Sequence, residues 1–160
     1  MKKVGHTHVP VQYEKSTTDI PATLRTAGFR VTQARRLLLA LLESADTPLT
    51  IQQVRERWLG PKPDVTTLYR SLTDLYEAGI VKRVALGTGA VHYEFTPHRP
   101  HHHHIICARC GVVEELEGCA LRGVENDLLV HSATFTTIFS HNLEFIGECT
   151  DCVTLQQHIL

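Results

Sequence analysis

Five cysteines and a run of four histidines are the side chains of this sequence best suited to hold metal. The cysteines fall as Cys107-x-x-Cys110, a lone Cys119 and Cys149-x-x-Cys152. Two CxxC pairs offer four soft thiolates, the donor set of a closed, tetrahedral, structural Zn2+ site. The 38 residues between the pairs exceed the gap of a simple zinc ribbon, so the ion would tie together two distant elements of one unit. A dithiol redox role would need an exposed, activated pair whose reactivity changes with metal loading. The N-terminal stretch "MKKVGHTHVPVQYEK" has two lysines but no apolar core. It does not read as a secretory signal, which favours metal over disulfides and makes a cytoplasmic location the expectation.

The histidines at positions 101–104 run straight into the first CxxC. In an extended segment, successive side chains point to opposite faces. His101 and His103 then share one face, and His102 and His104 the other. Each face offers an i, i+2 imidazole pair that needs carboxylates or a further histidine from elsewhere to complete a site.

The elements that must position these groups are signalled in order along the chain. Residues 1–18 lack periodicity and read as a loose arm. "DIPATLRTAGF" has Pro21 near a helix start and Gly28 past its end. "TQARRLLLALLESA" places Thr32 as N-cap with Leu37, Leu38, Leu41 and Leu42 on its apolar face. "TIQQVRERWL" starts at Thr50, buries Ile51, Val54 and Trp58, and is broken by Gly60-Pro61. Asp64 caps a helix expected over residues 65–78, with Val65, Leu68, Leu72, Leu75 and Tyr76 inward and Gly79 at its C-terminal end. "IVKRVAL", "GTG" and "AVHYEF" read as two strands joined by a glycine turn. Helices followed by a hairpin in this order predict a winged helix-turn-helix over residues 19–93.

Residues 94–100 form a proline-bounded hinge, and residues 101–160 a small α/β unit, so the fold class expected is α+β. In that unit, strands flank the first CxxC and a helix is expected in "CALRGVENDLLVHS". "FTTIFSHNLEFIGEC" alternates like one strand or a bent hairpin, and a short helix closes the chain over residues 153–159. So small a unit leans on zinc as its staple. His131 and His158 are expected to be exposed helix residues. The longest apolar run, "LLLALL", is far too short to span a membrane.

Charge divides the same way. Residues 1–97 carry 13 Lys and Arg against 9 Asp and Glu, whereas residues 98–160 carry 3 against 8. A basic first half suits a polyanion. The solvent side of the fourth helix carries Thr66, Thr67, Tyr69, Arg70, Ser71 and Thr73, with Lys82 and Arg83 on the expected wing. Arginine can contact guanine or a phosphate, tyrosine and threonine methyls pack on thymine, and hydroxyls bind phosphates. These residues are the expected contacts to double-stranded DNA. The bland alternative is a solvated amphipathic helix.

Three segments together resemble the ferric uptake regulator (Fur) superfamily: "TTLYRSLTDLYEAGIV", "HHHHIICARCGVVEEL" and "HNLEFIGECTDC". The resemblance covers roughly residues 19–155. It implies a metal-responsive repressor that binds an AT-rich inverted repeat as a homodimer. It also implies a regulatory metal site of Glu94, His102, His104 and Glu115 between the two units, and a second site of His101, His103 and His141.

This chain departs from the family pattern at several places. Pro48 stands where a regulatory-site histidine is common, and His92 or His98 is the candidate replacement, with His98 favoured by its place in the linker. His103 replaces a common aspartate, and Arg122 stands near an expected helix glutamate, where a cation would repel the ion. Cys119 is either a further soft ligand or a small buried residue.

Imidazole-rich donors suit Zn2+ and Fe2+, with Mn2+ a third candidate, and binding strength alone does not choose among them. By the resemblance, an aspartate-containing ligand set marks peroxide sensors, and glutamates at positions 94 and 115 argue against that role. Two other classes compete: a metal-storage module, and a zinc hydrolase using Glu114 or Glu115 as base. The hydrolase lacks an HExxH motif and leaves the helical half without a task.

Overall fold

The structure, a computed structural model, describes residues 18–87, 89–97, 99–118, 123–139 and 141–157, with side chains as far as residue 154. Within the expected N-terminal arm only Thr18 falls inside these bounds. His98, Cys119, Arg122 and His158 lie outside the described residues.

Side chains that cap helices set the boundaries of the first unit. The Asp19 carboxylate accepts from the Ala22 amide and opens α1 (Ile20–Thr26). The Thr32 hydroxyl accepts from the Arg35 amide at the start of α2 (Gln33–Glu43). Thr50 and Gln53 form a reciprocal capping box at α3 (Ile51–Arg57), and the Asp64 carboxylate accepts from the Thr66 amide at α4 (Val65–Glu77). After α4, Gly79 takes φ 70°. Side chains other than glycine rarely hold that left-handed value, so the chain turns there into the wing.

The wing is β2 (Val81–Ala85) paired antiparallel with β3 (Val91–Phe95). A short strand not expected from sequence, β1 (Leu49–Thr50), pairs with the other edge of β3. Beneath this sheet, Leu24, Leu38, Leu39, Val54, Leu68, Leu72, Leu75 and Phe95 form a continuous core. Two expected apolar faces shift. Helix α2 buries Leu38, Leu39 and Leu42 while Leu37 and Leu41 are only partly covered. Tyr76 of α4 is 43% exposed and lies under the Arg83 guanidinium, 4.3 Å from its ring centre. In both helices the neighbouring elements cover a face rotated from the one that spacing suggests.

The second unit is a sheet in the order β5-β4-β6. Strand β4 (His102–Cys107) pairs antiparallel with β5 (Val113–Glu117) across the first CxxC turn, and parallel with β6 (Glu144–Gly147). Helix α5 (Val124–Val130) begins after Gly123, whose φ of 99° starts it later than the sequence suggests. The expected long strand or hairpin over residues 135–149 reduces to the four residues of β6. Alternation marks a face, but among the described residues of this segment only 144–147 pair with a strand. Helix α6 (Thr150–Gln157) starts earlier than expected and takes Cys152 into its first turn. That i, i+3 placement brings Cys152 back beside Cys149.

The two units meet where Val84 and Leu86 pack with Ile106, against a partly covered Val113. Strand β3 ends at Phe95, so its penultimate residue, Glu94, faces the second sheet at this junction.

Candidate metal centres and nucleic-acid interface

The four cysteines converge as the CxxC spacing predicts, with all four Sγ atoms within 4.8 Å of one another. A tetrahedral ion about 2.3 Å from each thiolate sets sulfurs about 3.8 Å apart, so this set fits zinc. Cys110 Sγ lies 3.5 Å from Cys149 Sγ, and the Cys149 amide donates to Cys107 Sγ at 3.3 Å. The backbone shapes the cage, with the Gly111 amide donating to the Cys107 carbonyl and Ala108 to Gly147. Amides of Cys110 and Cys149 pull the Cys107 thiol down to about 6. The adjacent Cys149 sulfur, with burial, pushes Cys152 up to about 12.

Strand alternation divides the histidines as expected. His102 and His104 join Glu94 and Glu115, their donor atoms all within 4.8 Å. Glu115 lies opposite His104 in the β4–β5 register, and Glu94 arrives from β3 of the other unit. His102 Nε2 is 2.7 Å from Glu94 Oε1, and His104 Nε2 is 3.8 Å from Glu94 Oε2. All four of these atoms are buried and none makes a well-formed hydrogen bond, although Arg99 pairs with Glu94 Oε1 and Lys82 lies 3.6 Å from Oε2. Orphaned buried polar atoms carry a desolvation cost. Here they are grouped around one point, and the donor set fits a divalent cation.

The two imidazoles differ in protonation. His102 Nδ1 lies 2.9 Å from the Pro100 carbonyl, which turns Nε2 towards Glu94. Burial pushes His104 down to about 4, so its imidazole is neutral. Burial would lower His102 too, but the Glu94 carboxylate holds it above the ordinary value. Burial would raise Glu94, and His102 with the Arg99 guanidinium instead keeps its carboxyl below the usual range.

His92 does not join this group; it is buried on β3 with Nδ1 3.1 Å from the Ala90 carbonyl. Burial lowers its basicity.

On the opposite face, His101 Nε2 lies 3.1 Å from His103 Nε2 and 3.2 Å from His141 Nε2. Tetrahedral nitrogen ligands at about 2.0 Å stand about 3.3 Å apart, so this trio also fits a small cation. His103 Nδ1 faces the Leu143 carbonyl at 3.2 Å, and His141 Nδ1 meets Glu125 Oε1 at 2.7 Å. Glu125 thus supplies an acid beside the site, bound to an imidazole rather than replacing it. It lies one helical turn of sequence beyond Arg122, so spacing offered a signal for it.

On α4, Thr66, Thr67, Tyr69 and Arg70 are exposed, whereas Ser71 and Thr73 are partly covered. Arg83 donates to Thr73 Oγ1 at 3.2 Å, so the wing braces the helix. Lys82 points to Glu94, its Nζ 3.6 Å from Oε2. An Arg35–Asp74 pair at 3.6 Å holds α2 against α4.

The ferric uptake regulator family profile matches residues 26–146. This chain belongs to the ferric uptake regulator family. It is 31% identical over 133 residues to the peroxide-responsive repressor PerR of Staphylococcus aureus, covering 82% of this chain and 87% of that one. It is similar to the ferric uptake regulator of Francisella tularensis with iron, at 30% identity and TM-score 0.65, over 79% of this chain and 96% of that one. The Vibrio cholerae Fur structure aligns at 25% identity and TM-score 0.67, over 82% and 100%. As a Fur-family member the protein is a DNA-binding, metal-responsive regulator of transcription and not an enzyme, which removes the hydrolase. Among the described residues no helix is long and apolar enough to cross a membrane.

Sequence reasoning missed one residue that touches the acids of the cluster between the units. Arg99, in the linker, donates to Glu115 and pairs with Glu94 at 2.5 Å. The available signal was a single cation between Pro97 and Pro100, beside residues otherwise read as ligands.

Proposed function

We propose that the protein is a cytoplasmic, homodimeric repressor whose affinity for an AT-rich inverted repeat rises when Glu94, His102, His104 and Glu115 take up a divalent metal. Zn2+ and Fe2+ are favoured, with Mn2+ a third candidate. The observation that carries this reading is the cluster of donor atoms of Glu94, His102, His104 and Glu115, drawn from both units and all within 4.8 Å of one another. A bound ion supplies one positive centre shared by β3 of the winged unit and β4–β5 of the second unit.

The chain's own residues do the rest. His104 is held as a neutral donor, His102, whose basicity Glu94 raises, gives up its Nε2 proton on ligation, and Glu94 reports to the wing through β3. Residues 94–100 act as the hinge between a DNA-binding unit (19–93) and a dimerisation unit (101–160), with residues 1–18 as an arm. Ligation favours one relative orientation of the units, which spaces two copies of α4 for successive major grooves. Thr66, Thr67, Tyr69, Arg70, Ser71 and Thr73 read or grip the duplex, and Arg83 approaches its backbone from the wing, whereas Lys82, expected beside it, is turned to Glu94. Cys107, Cys110, Cys149 and Cys152 hold a structural zinc. His101, His103 and His141 hold a second cation. Moving the regulator from mostly free to mostly bound needs a differential metal affinity of about 3–5 kcal/mol.

Titrating Zn2+, Fe2+ and Mn2+ against binding to an AT-rich inverted repeat tests this directly. DNA affinity should rise with metal and fall on chelation. His102→Ala should weaken the regulatory metal by about 100-fold and remove that dependence while keeping the four-cysteine zinc. Equal affinity with and without regulatory metal sinks the proposal.

The identity to PerR favours one second reading, release from DNA by peroxide. In that case the iron-loaded protein should lose its operator on brief peroxide exposure and the zinc-loaded protein should keep it.

A further inference from the structure

Arg99 occupies an unusual position for a linker residue. Its Nη1 pairs with Glu94 Oε1 at 2.5 Å and its Nη2 donates to Glu115 Oε2, so one guanidinium spans carboxylates from two sheets. These carboxylates are the two acids of the regulatory site, and the inference below rests on that reading. The backbone holds Arg99 there: its amide donates to the Thr96 carbonyl at 3.1 Å. The Thr96 hydroxyl in turn donates to the Gly79 carbonyl at 2.8 Å, anchoring the linker to the turn after α4.

A planar, permanently charged fork suits two carboxylates at once. The Glu94 side chain is only 2% exposed, so an ionised carboxylate there needs a counter-charge. The Arg99 side chain is 27% exposed and has a route to water. Lys82, 3.6 Å from the other Glu94 oxygen, adds a second and weaker cation from β2.

We infer that Arg99 is a tethered counter-ion that holds Glu94 and Glu115 in the metal-free protein and must leave them before they can ligate, so that it sets the metal concentration at which the regulatory site fills. A divalent ion and the guanidinium would compete for the same two carboxylates, and two positive charges in one buried cluster repel. Removing Arg99 therefore tightens metal binding, opposite to the effect of removing a ligand or a residue that orients one. The metal-free protein loses the bridge between β3 and β5 at the same time. Because Arg99 is part of the linker, its departure also frees residues 96–100 to take the orientation that ligation favours.

The test uses the full-length protein with its cysteine site filled by zinc, titrated with Co2+ and followed by the visible absorption of the cobalt ion. Arg99→Gln should bind Co2+ about tenfold or more tightly than the wild type. Arg99→Lys, which keeps the charge but cannot bridge both acids, should fall between them. Melting separates this from a structural brace: Arg99→Gln should lower the midpoint of the protein without Co2+ and leave that of the Co2+-loaded protein near wild type. A brace lowers both. Unchanged or weaker Co2+ binding in Arg99→Gln, where the wild-type signal depends on His102, overturns the role of Arg99 alone. A wild-type signal indifferent to His102→Ala overturns the site itself and the inference with it.

Discussion

Helices α1–α4 and their sheet bury a continuous apolar cluster from Ile20 to Phe95, whereas the described residues of the second unit bury few apolar side chains and leave many outside. Leu24, Leu39, Val54, Leu72 and Leu75 are fully enclosed in the first unit. In the second, Ile106, Cys107 and Cys152 are covered, while Phe139 is 95% and Val130 82% exposed. Phe135, Leu128 and Ile146 are exposed with them. Among its described residues the other buried positions go to His102, His103 and His104. A unit this small gains too little from burial to offset the entropy of ordering its chain. The contrast teaches that the first unit is held by its own core, whereas the second leans on the metal its cysteines can hold.

The largest effect should come from removing the structural zinc. Chelation is expected to raise amide exchange throughout β4–β6 while α1–α4 stay protected, measured by hydrogen–deuterium exchange. If both units opened together, the contrast would collapse. Proton release sharpens this. Cys107 is already a thiolate near neutrality, but Cys152 is not. The Val112 amide would lower Cys110, but burial and the Cys149 and Cys107 sulfurs raise it. Zinc uptake at pH 7.5 must therefore expel the Cys110 and Cys152 protons, and zinc affinity should fall as pH falls. Calorimetry in buffers of different ionisation enthalpy measures this directly.

The reciprocal experiment is Leu72→Ala. Its side chain is wholly buried in the first core, so the cavity should cost about 2–5 kcal/mol. Denaturant melts should show the first unit unfolding earlier with the zinc-held unit unchanged. A smaller probe is Thr50→Ala, which removes the capping box of α3 and should cost about 1 kcal/mol. That loss should again appear in the first unit alone.

Much of the first unit could be read from the chain because its signals are local. Thr32, Thr50 and Asp64 cap the helices they precede, and Gly79 ends α4 where a left-handed residue is required. Local signals were weaker in the second unit. The alternating residues before Glu144 resemble a strand, but those described there pair with none, and α5 begins only after Gly123. Tyr76 has helical core spacing yet lies outside, where Arg83 covers its ring.

For the candidate sites, sequence alone singled out cysteines and histidines able to hold metal and how they divide. CxxC spacing selects a four-thiolate cage, and the two-residue period of a strand sends His101 and His103 one way and His102 and His104 the other. Those are consequences of backbone geometry over a few residues. The tertiary structure decided which distant groups complete each set. It brings Glu94 from the wing to His102, sets Glu125 against His141, and leaves His92 apart on a buried strand. It also placed Arg99 across Glu94 and Glu115. No periodicity encodes that bridge, because it depends on two sheets meeting at a junction that Val84, Leu86 and Ile106 hold by packing.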